Sequence, residues 1–407
     1  VPNPTHIQGV EIAALANEFG TPLYIYDGEK ITNQVKTLQE AFSAVPLKIK
    51  YATKALSNIN ILKLIRNAGA GVDAVSIEEV KLGMMAGFSA DEIMYTPSGV
   101  GFEEIREAVN LGIMINLDSL PLMEEFGQVY GGSVPACIRI NPHIMAGGNL
   151  KISTGHKESK FGISIDQLSE VLATVQKYKL QIIGLHIHTG SDILDAEVFL
   201  QGGNVLFEAA IQFPDLTFLD FGGGFKVAYK PNDIATDVME VGKKVGEAFQ
   251  EFCKRYGRQL ELWIEPGKFL VSEAGYLLVR TNLVKESTTV TFVGVDTGLN
   301  HLIRPMMYDA YHGVYNLSNF EGKKAKYNIV GYICETDTIA AHRELNEVKA
   351  GDLLVIKNAG AYGYSMASNY NSRLRPAEVL IWKGKAYQIR RREIFEDLVR
   401  NQEILDF

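Results

Sequence analysis

Residues 184–191 read GLHIHTGS. The run alternates like a buried strand, sets His186 and His188 on one face, and ends in a small polar turn. Similar runs recur at regular intervals around it. They lie at residues 48–54 (KIKYATK), 71–76 (GVDAVS), 93–96 (IMYT), 114–118 (MINLD), 136–141 (ACIRIN), 182–188 (IIGLHIH), 218–221 (FLDF) and 262–265 (LWIE). Helix-patterned segments intervene, among them residues 58–67, 77–86, 102–111, 165–178 and 238–256. Strand and helix alternating eight times predict a closed β/α barrel of TIM type, an α/β fold. A doubly wound open sheet is the competing architecture. It normally uses fewer strands and a glycine-rich first turn, which KIKYATKA lacks.

Outward from the barrel the pattern changes. Residues 5–20 have helical spacing and stop at Gly20. LYIYD at 23–27 reads as a strand, and Asp27 is placed to cap a helix running to about Phe42. Past Glu273, β-like runs at residues 276–285, 289–295, 325–334, 352–358, 377–382 and 385–390 follow one another with few helices between them. They predict a C-terminal, mainly antiparallel β domain. The expected division is a barrel over 30–273 and a β-rich domain from 1–29 and 274–407 that completes the active site.

Composition narrows the class. The 407 residues are 46% hydrophobic, enough for one large and one smaller core. The formal net charge is −8 and the only basic run is short, at residues 383–392, so no nucleic-acid surface is expected. No apolar run is long enough to span a bilayer, and VPNPTHIQGVEI carries no signal-peptide pattern. Three scattered cysteines, Cys137, Cys253 and Cys334, fit a reducing, cytoplasmic setting rather than a disulfide framework or a zinc site.

In a β/α barrel the catalytic groups sit at the C-terminal strand ends. Here those ends carry Lys54, Asp73 with Ser76, Asp118, Arg139 with Asn141, His188 with Ser191, Gly222-Gly223-Gly224, and Glu265 with Gly267 and Lys268. A lysine just past a strand is ordinarily a surface residue. One projecting into a desolvated mouth is a Schiff-base candidate, because burial disfavours its charge. Glycine turns after the seventh and eighth strands suit a phosphate, whose oxygens need close backbone N–H groups. The H-x-H pair has two readings. One is a metal site, as in barrel hydrolases, which needs further ligands. The other is a single ring stacked on an aromatic cofactor, with Glu265 holding a ring nitrogen protonated. Lysine, phosphate loops, a flat His and a carboxylate together describe a pyridoxal 5′-phosphate (PLP) site without metal.

The chain resembles the PLP-dependent decarboxylases of alanine-racemase-like fold over nearly its whole length. The motifs are YATKA around Lys54, SKFGI at 159–163, GLHIHTGS, LDFGGGF at 219–225, EPGK at 265–268, IRPMMYDAYH at 303–312, ICET at 333–336 and NAGAYGYSMASNYN at 358–371. Within the family they are most similar to enzymes that convert meso-diaminopimelate to L-lysine and CO2, the last step of lysine biosynthesis. The resemblance implies that Lys54 carries the cofactor, His188 stacks on its ring and Glu265 pairs with its pyridine nitrogen. Asp73, Ser191, Gly222, Gly223, Gly224, Gly267 and Tyr362 join the cofactor site. Lys268, Arg304, Tyr308, Glu335 and Tyr362 face the amino-acid substrate, and Cys334 protonates the carbon that loses CO2. It also implies a homodimer in which Cys334 and Glu335 reach the neighbouring subunit's site.

Three departures bear on substrate. EPGK replaces EPGR, so Lys268 stands where the family has an arginine that contacts substrate. CETDT replaces CESGD, changing the last two places to Asp337 and Thr338. TPSGV after the third strand lacks the usual Asn-rich turn. They keep other substrates open, such as ornithine, arginine or carboxynorspermidine. A metal-dependent hydrolase or a PLP carrier without catalysis are the readings from other classes.

Overall fold

The computed structural model describes residues 4–144 and 154–407. The chain divides into two compact units, one of residues 32–228 and 234–270, the other of residues 1–31, 229–233 and 271–407.

The first unit is the barrel. Its strands are β1 (Leu47–Ala52), β2 (Gly71–Ala74), β3 (Ile93–Tyr95), β4 (Met114–Leu117), β5 (Ala136–Asn141), β6 (Ile182–Ile187), β7 (Phe218–Asp220) and β8 (Glu261–Ile264). All pair in parallel, β1 through β8 in order, and β8 closes on β1 with Leu262 opposite Leu47. A short strand, Ile163–Ser164, adds to the end of β5. Helices start where short polar side chains accept the first free N–H groups: Asn58 before Ile59–Asn67, Ser76 before Ile77–Met85, Ser119 before Leu120–Tyr130, Asp237 before Val238–Tyr256.

All eight sequence runs are strands, but seven stop one or two residues earlier than their sequence pattern. Lys54, Asp118, His188 and Glu265 lie just beyond the last paired residue. The chain is already turning into the βα loop there, which frees these side chains from strict alternation.

The barrel's lower interior is filled by Phe218 and Trp263, stacked at 3.6 Å with planes 7° apart. Gly184 makes this layer fit, since a Cβ there would lie 2.1 Å from the Phe218 ring. Met94 and Cys137 complete the cluster. Lys50 reaches across it, with Nζ 4.5 Å from the Trp263 ring centre and 3.0 Å from the Asp91 carbonyl.

The second unit is built on Gly275–Glu286. This strand pairs antiparallel with Leu23–Asp27, Thr291–Val295 and Leu353–Ile356. Two pairings are parallel: Leu23–Asp27 with Ala377–Trp382, and Thr291–Val295 with Lys324–Val330. Ala377–Trp382 and Lys385–Arg390 form a hairpin. The N-terminal strand thus sits mid-sheet, and Asp27 Oδ1 accepts the N–H groups of Glu29 and Lys30 to start the helix Gly28–Ala41.

Three expectations need correction here. The N-terminal helix covers only Ile12–Phe19, because Gln8 and Gly9 take positive φ and turn His6–Ile7 back onto Val10–Glu11. The strand expected over 325–334 is Lys324–Val330, so Cys334 sits in a turn rather than at a strand end. Thr338–Asn346, unrecognised in the sequence, is its partner. His342 at φ 52° and register shifts in the pairing spoil the alternation that would have revealed it.

Candidate active site

Lys54 lies in the turn Thr53–Ala55 immediately after β1. Its side chain is exposed, which corrects the expectation of a desolvated lysine. What marks it instead is the charge around it: its ammonium acts on Asp73, Glu79 and Glu265 to lower their pKa values and on His186 and His188 likewise.

His188 follows β6 and is half-buried. Its Nδ1 accepts the Gly223 N–H at 3.2 Å, and burial, reinforced by Arg139, holds its pKa well below the usual histidine value. The ring is therefore neutral, with its proton on Nε2. The glycine run works differently from a simple anion nest. Gly222 N–H donates to Asp220 Oδ1 at 2.8 Å and Gly223 N–H to His188, so two of the three N–H groups shape the wall. The absence of side chains matters more. A Cβ on Gly223 would lie 2.1 Å from the Glu265 carbonyl, and one on Gly224 2.2 Å from the Gly190 carbonyl. Ser191 is half-buried in the turn after His188.

Beneath His188 lies a buried acid cluster. His186 Nε2 is 2.9 Å from Glu265 Oε2. Burial and the neighbouring Glu265 push the Asp220 pKa well above the usual carboxylate value. Burial and the charge of Asp73 raise Glu265 to about 8, although Asp220, Arg139 and Lys54 oppose that rise. Burial lowers His186 to about 4, so it is neutral and serves as donor. Asp73 is buried and accepts the Thr96 hydroxyl at 2.7 Å. The ligand atoms of His186, Asp220 and Glu265 lie within 4.8 Å of one another, so the H-x-H motif does have carboxylate neighbours. His186 Nε2 and Glu265 Oε2 are spent on each other, whereas His186 Nδ1, Asp220 Oδ2 and Glu265 Oε1 are buried with no hydrogen-bond partner among the described residues.

Lys268, next to Gly267 after β8, is buried and its ammonium bonds Asp192 in the loop after β6. The cation that replaces the family's arginine thus already has a carboxylate.

In the β unit, Arg304 begins the helix Arg304–Tyr308, and Tyr308 ends it half-buried. Arg304 is buried under Tyr229, 5.0 Å from its ring centre, and its Nε has no partner among the described residues. Cys334 and Glu335 are exposed at the tip of one loop. Asn371 Nδ2 donates to Cys334 Sγ at 3.1 Å, and Tyr370 donates to Glu335 Oε1 at 3.1 Å. Tyr362 is half-buried at φ 55°.

The family described as "Pyridoxal-dependent decarboxylase, pyridoxal binding domain" matches residues 28–272. The chain belongs to the pyridoxal-dependent decarboxylases. Among similar members, the diaminopimelate decarboxylase of Methanothermobacter thermautotrophicus is 37% identical over 98% of this chain and 95% of its own. That of Campylobacter jejuni is 36% identical over 96% and 98%. The crystal structure of diaminopimelate decarboxylase from Helicobacter pylori complexed with L-lysine superposes with a TM-score of 0.87, at 34% identity over 95% of this chain and 98% of that one.

The barrel of this decarboxylase fits the cofactor its family uses. It offers an exposed lysine amine, a neutral ring held by a loop N–H, turns where no Cβ is tolerated, and a buried carboxyl group that takes one hydrogen bond from His186 and has one oxygen unpartnered among the described residues. Several contributors escaped the sequence reading. Asp220 was visible only as part of a strand, and its i, i+2 spacing from Phe218 was the available signal. Glu79, raised to about 7 by burial and held by the Val75 N–H at 2.8 Å, gave no signal, nor did Asp192. Tyr370 and Asn371 fell within a quoted motif without an assigned role.

Proposed function

We propose that this chain decarboxylates meso-diaminopimelate to L-lysine and CO2, with pyridoxal 5′-phosphate bound in the barrel and a homodimer as the working unit. The observation that carries the chemistry is the convergence of Lys54, His188 and the Glu265 cluster at one barrel mouth. The substrate assignment rests on near-full-length relatives named for it, one of them complexed with L-lysine, the reaction's product.

When bound, PLP supplies an aldehyde that captures amines and a ring that accepts the electron pair released as CO2 departs. Lys54 would hold the cofactor through its side-chain amine. Glu265 would pair with the ring nitrogen, with His186 donating to its Oε2 and its Oε1 left without a partner among the described residues. His188 would stack on the ring as a neutral imidazole, adding no positive charge beside it. Gly224, with Ser191, Gly267 and Tyr362, would hold the phosphate, while Gly222 and Gly223 shape the wall beside it and Asp73 lies below. Arg304, with Tyr308, Glu335 and Lys268, selects the distal end of the substrate. A second carboxylate there distinguishes diaminopimelate from simple diamino acids. The Cys334 thiol returns a proton to the carbon that has lost CO2. Its exposure in its own unit supports a role in a second subunit's site.

The test is CO2 release from meso-diaminopimelate beside ornithine, arginine and carboxynorspermidine. Turnover of meso-diaminopimelate in excess of the others is expected, and turnover of another substrate alone rejects the assignment. Lys54→Ala should lose the borohydride-trapped cofactor adduct. Its persistence removes Lys54 from the role.

A further inference from the structure

The loop that carries Cys334 and Glu335 has a buried base and an exposed tip. Ile333 is 5% exposed, whereas Cys334, Glu335 and Thr336 are open. Two tip side chains are steadied from outside, by Asn371 and Tyr370. The base is held from inside by one residue. Asp337 is 2% exposed, and its Oδ2 accepts the Ile333 N–H at 2.9 Å. Its Oδ1 accepts the Leu299 N–H at 2.7 Å, and its carbonyl accepts the Gly331 N–H at 2.8 Å. A single residue therefore ties the start of the loop, its middle and a neighbouring turn together.

The space around the carboxylate is shaped for it. A Cβ on Gly331 would lie 2.1 Å from Asp337 Oδ2, and one on Gly298 2.5 Å from the same oxygen. Asp337 itself has φ 45°, a left-handed conformation that Asp tolerates better than most side chains. The motif this loop resembles has glycine at that place. Here a side chain fills it, points inward and binds backbone.

We infer that Asp337 is a positioning residue that fixes the loop presenting Cys334 and Glu335. The inference rests on the decarboxylase reading for what Cys334 does, and on the geometry alone for how the loop is held. The CETDT departure then acts through the anchoring of the loop, with the Asp337 side chain turned inward onto backbone. Glu335 and Thr336 also line a surface cavity with Met306, Tyr311 and Arg343, so the loop's position sets one wall of that cavity.

The experiment compares the holoenzyme with Asp337→Gly and Asp337→Asn. Asp337→Gly suits the backbone and removes both side-chain bonds, while Asp337→Asn keeps the shape and one acceptor. Steady-state CO2 release gives kcat and KM. Mass spectrometry of the Cys334 peptide gives its alkylation rate by iodoacetamide, with Cys334→Ser as the blank. Visible absorbance reports cofactor loading. The expected result is a loss in kcat of about tenfold or more for Asp337→Gly, with a smaller change in KM and unchanged loading. Cys334 alkylation should change severalfold, and Asp337→Asn should fall between Asp337→Gly and wild type. If Asp337→Gly does not fold, Asp337→Asn alone carries the comparison. A lowered Tm with kcat and alkylation both at wild-type values overturns the inference. So does a loss of kcat with alkylation unchanged, since the loop has then not moved. Absence of diaminopimelate turnover in the wild type defeats the decarboxylase reading instead, and the alkylation comparison still decides on Asp337.

Discussion

His186 Nε2 meets Glu265 Oε2 at 2.9 Å across the barrel interior, with β7 between their two strands. Asp220 of β7 lies beside the same carboxylate, with its ligand atom within 4.8 Å. The two histidines of GLHIHTGS therefore divide their work. His188 serves the mouth, and His186 serves the carboxylate below it. His186, lowered to about 4, donates to Glu265 without placing a positive charge beside it.

Replacing Glu265 tests this arrangement directly. Glu265→Gln keeps the shape and removes the charge, so kcat should fall by about 10²–10³-fold, as for other preorganised electrostatic contacts. His186→Gln retains a donor and should cost about tenfold or less. The cofactor's absorption band should shift in the first variant and hold in the second. Equal losses in both would mean that His186 does more than donate a hydrogen bond.

The glycine run should fail through shape. Gly223→Ala sets a methyl 2.1 Å from the Glu265 carbonyl, and backbone on both sides leaves nothing to rotate away. The loops after β7 and β8 must then part, carrying the His188 contact with them. Cofactor affinity should drop by at least about tenfold in dialysis and reconstitution, a loss on the order of 1.4 kcal/mol. Full retention of cofactor would show that the loops separate at little cost.

Lys268 and Asp192 should respond unequally to mutation. Lys268 is 9% exposed and Asp192 32%. Lys268→Met leaves a carboxylate that water can reach, costing about 1–3 kcal/mol. Asp192→Asn removes the formal charge opposite the more deeply buried member of the pair, costing about 2–4 kcal/mol. Thermal unfolding should therefore rank Asp192→Asn below Lys268→Met. The reverse order would mean that the ammonium has an equivalent second anchor.

Much of this was legible in the sequence, and the gaps have physical causes. Alternation and helical spacing survive locally, so eight strands and the strand-end positions of Lys54, His188 and Glu265 could be read off the chain. Strand ends could not be placed to the residue, because pairing stops where the loop begins. Long-range approach leaves no local trace. Asp220 and Glu265 lie 45 residues apart in the numbering, and nothing in FLDF says which carboxylate it will face. Asp337 reads as an isolated departure from a motif until Gly298, Gly331 and Ile333 surround it. Thr338–Asn346 escaped because a bulge at His342 breaks the one periodicity that marks a strand.

Lys50 gives the barrel floor a pH-dependent stability of known sign. Burial lowers its pKa from 10.5 to about 8, against weaker opposing pull from Asp220. Below pH 8 the folded chain carries the ammonium and bears its whole desolvation cost. Between pH 8 and 10.5 the unfolded chain binds the extra proton, so stability rises with pH through that window. Lys50→Met removes the charge and keeps most of the volume beside Trp263. At about pH 7 it should stabilise the barrel by up to roughly 3 kcal/mol, less the lost bond to the Asp91 carbonyl. That gain should shrink steadily toward pH 10.5, where wild type no longer bears the cost. Denaturant unfolding of the holoenzyme across this range measures both quantities. A variant less stable than wild type at neutral pH would show that the hydrogen bond and the indole contact outweigh the burial cost.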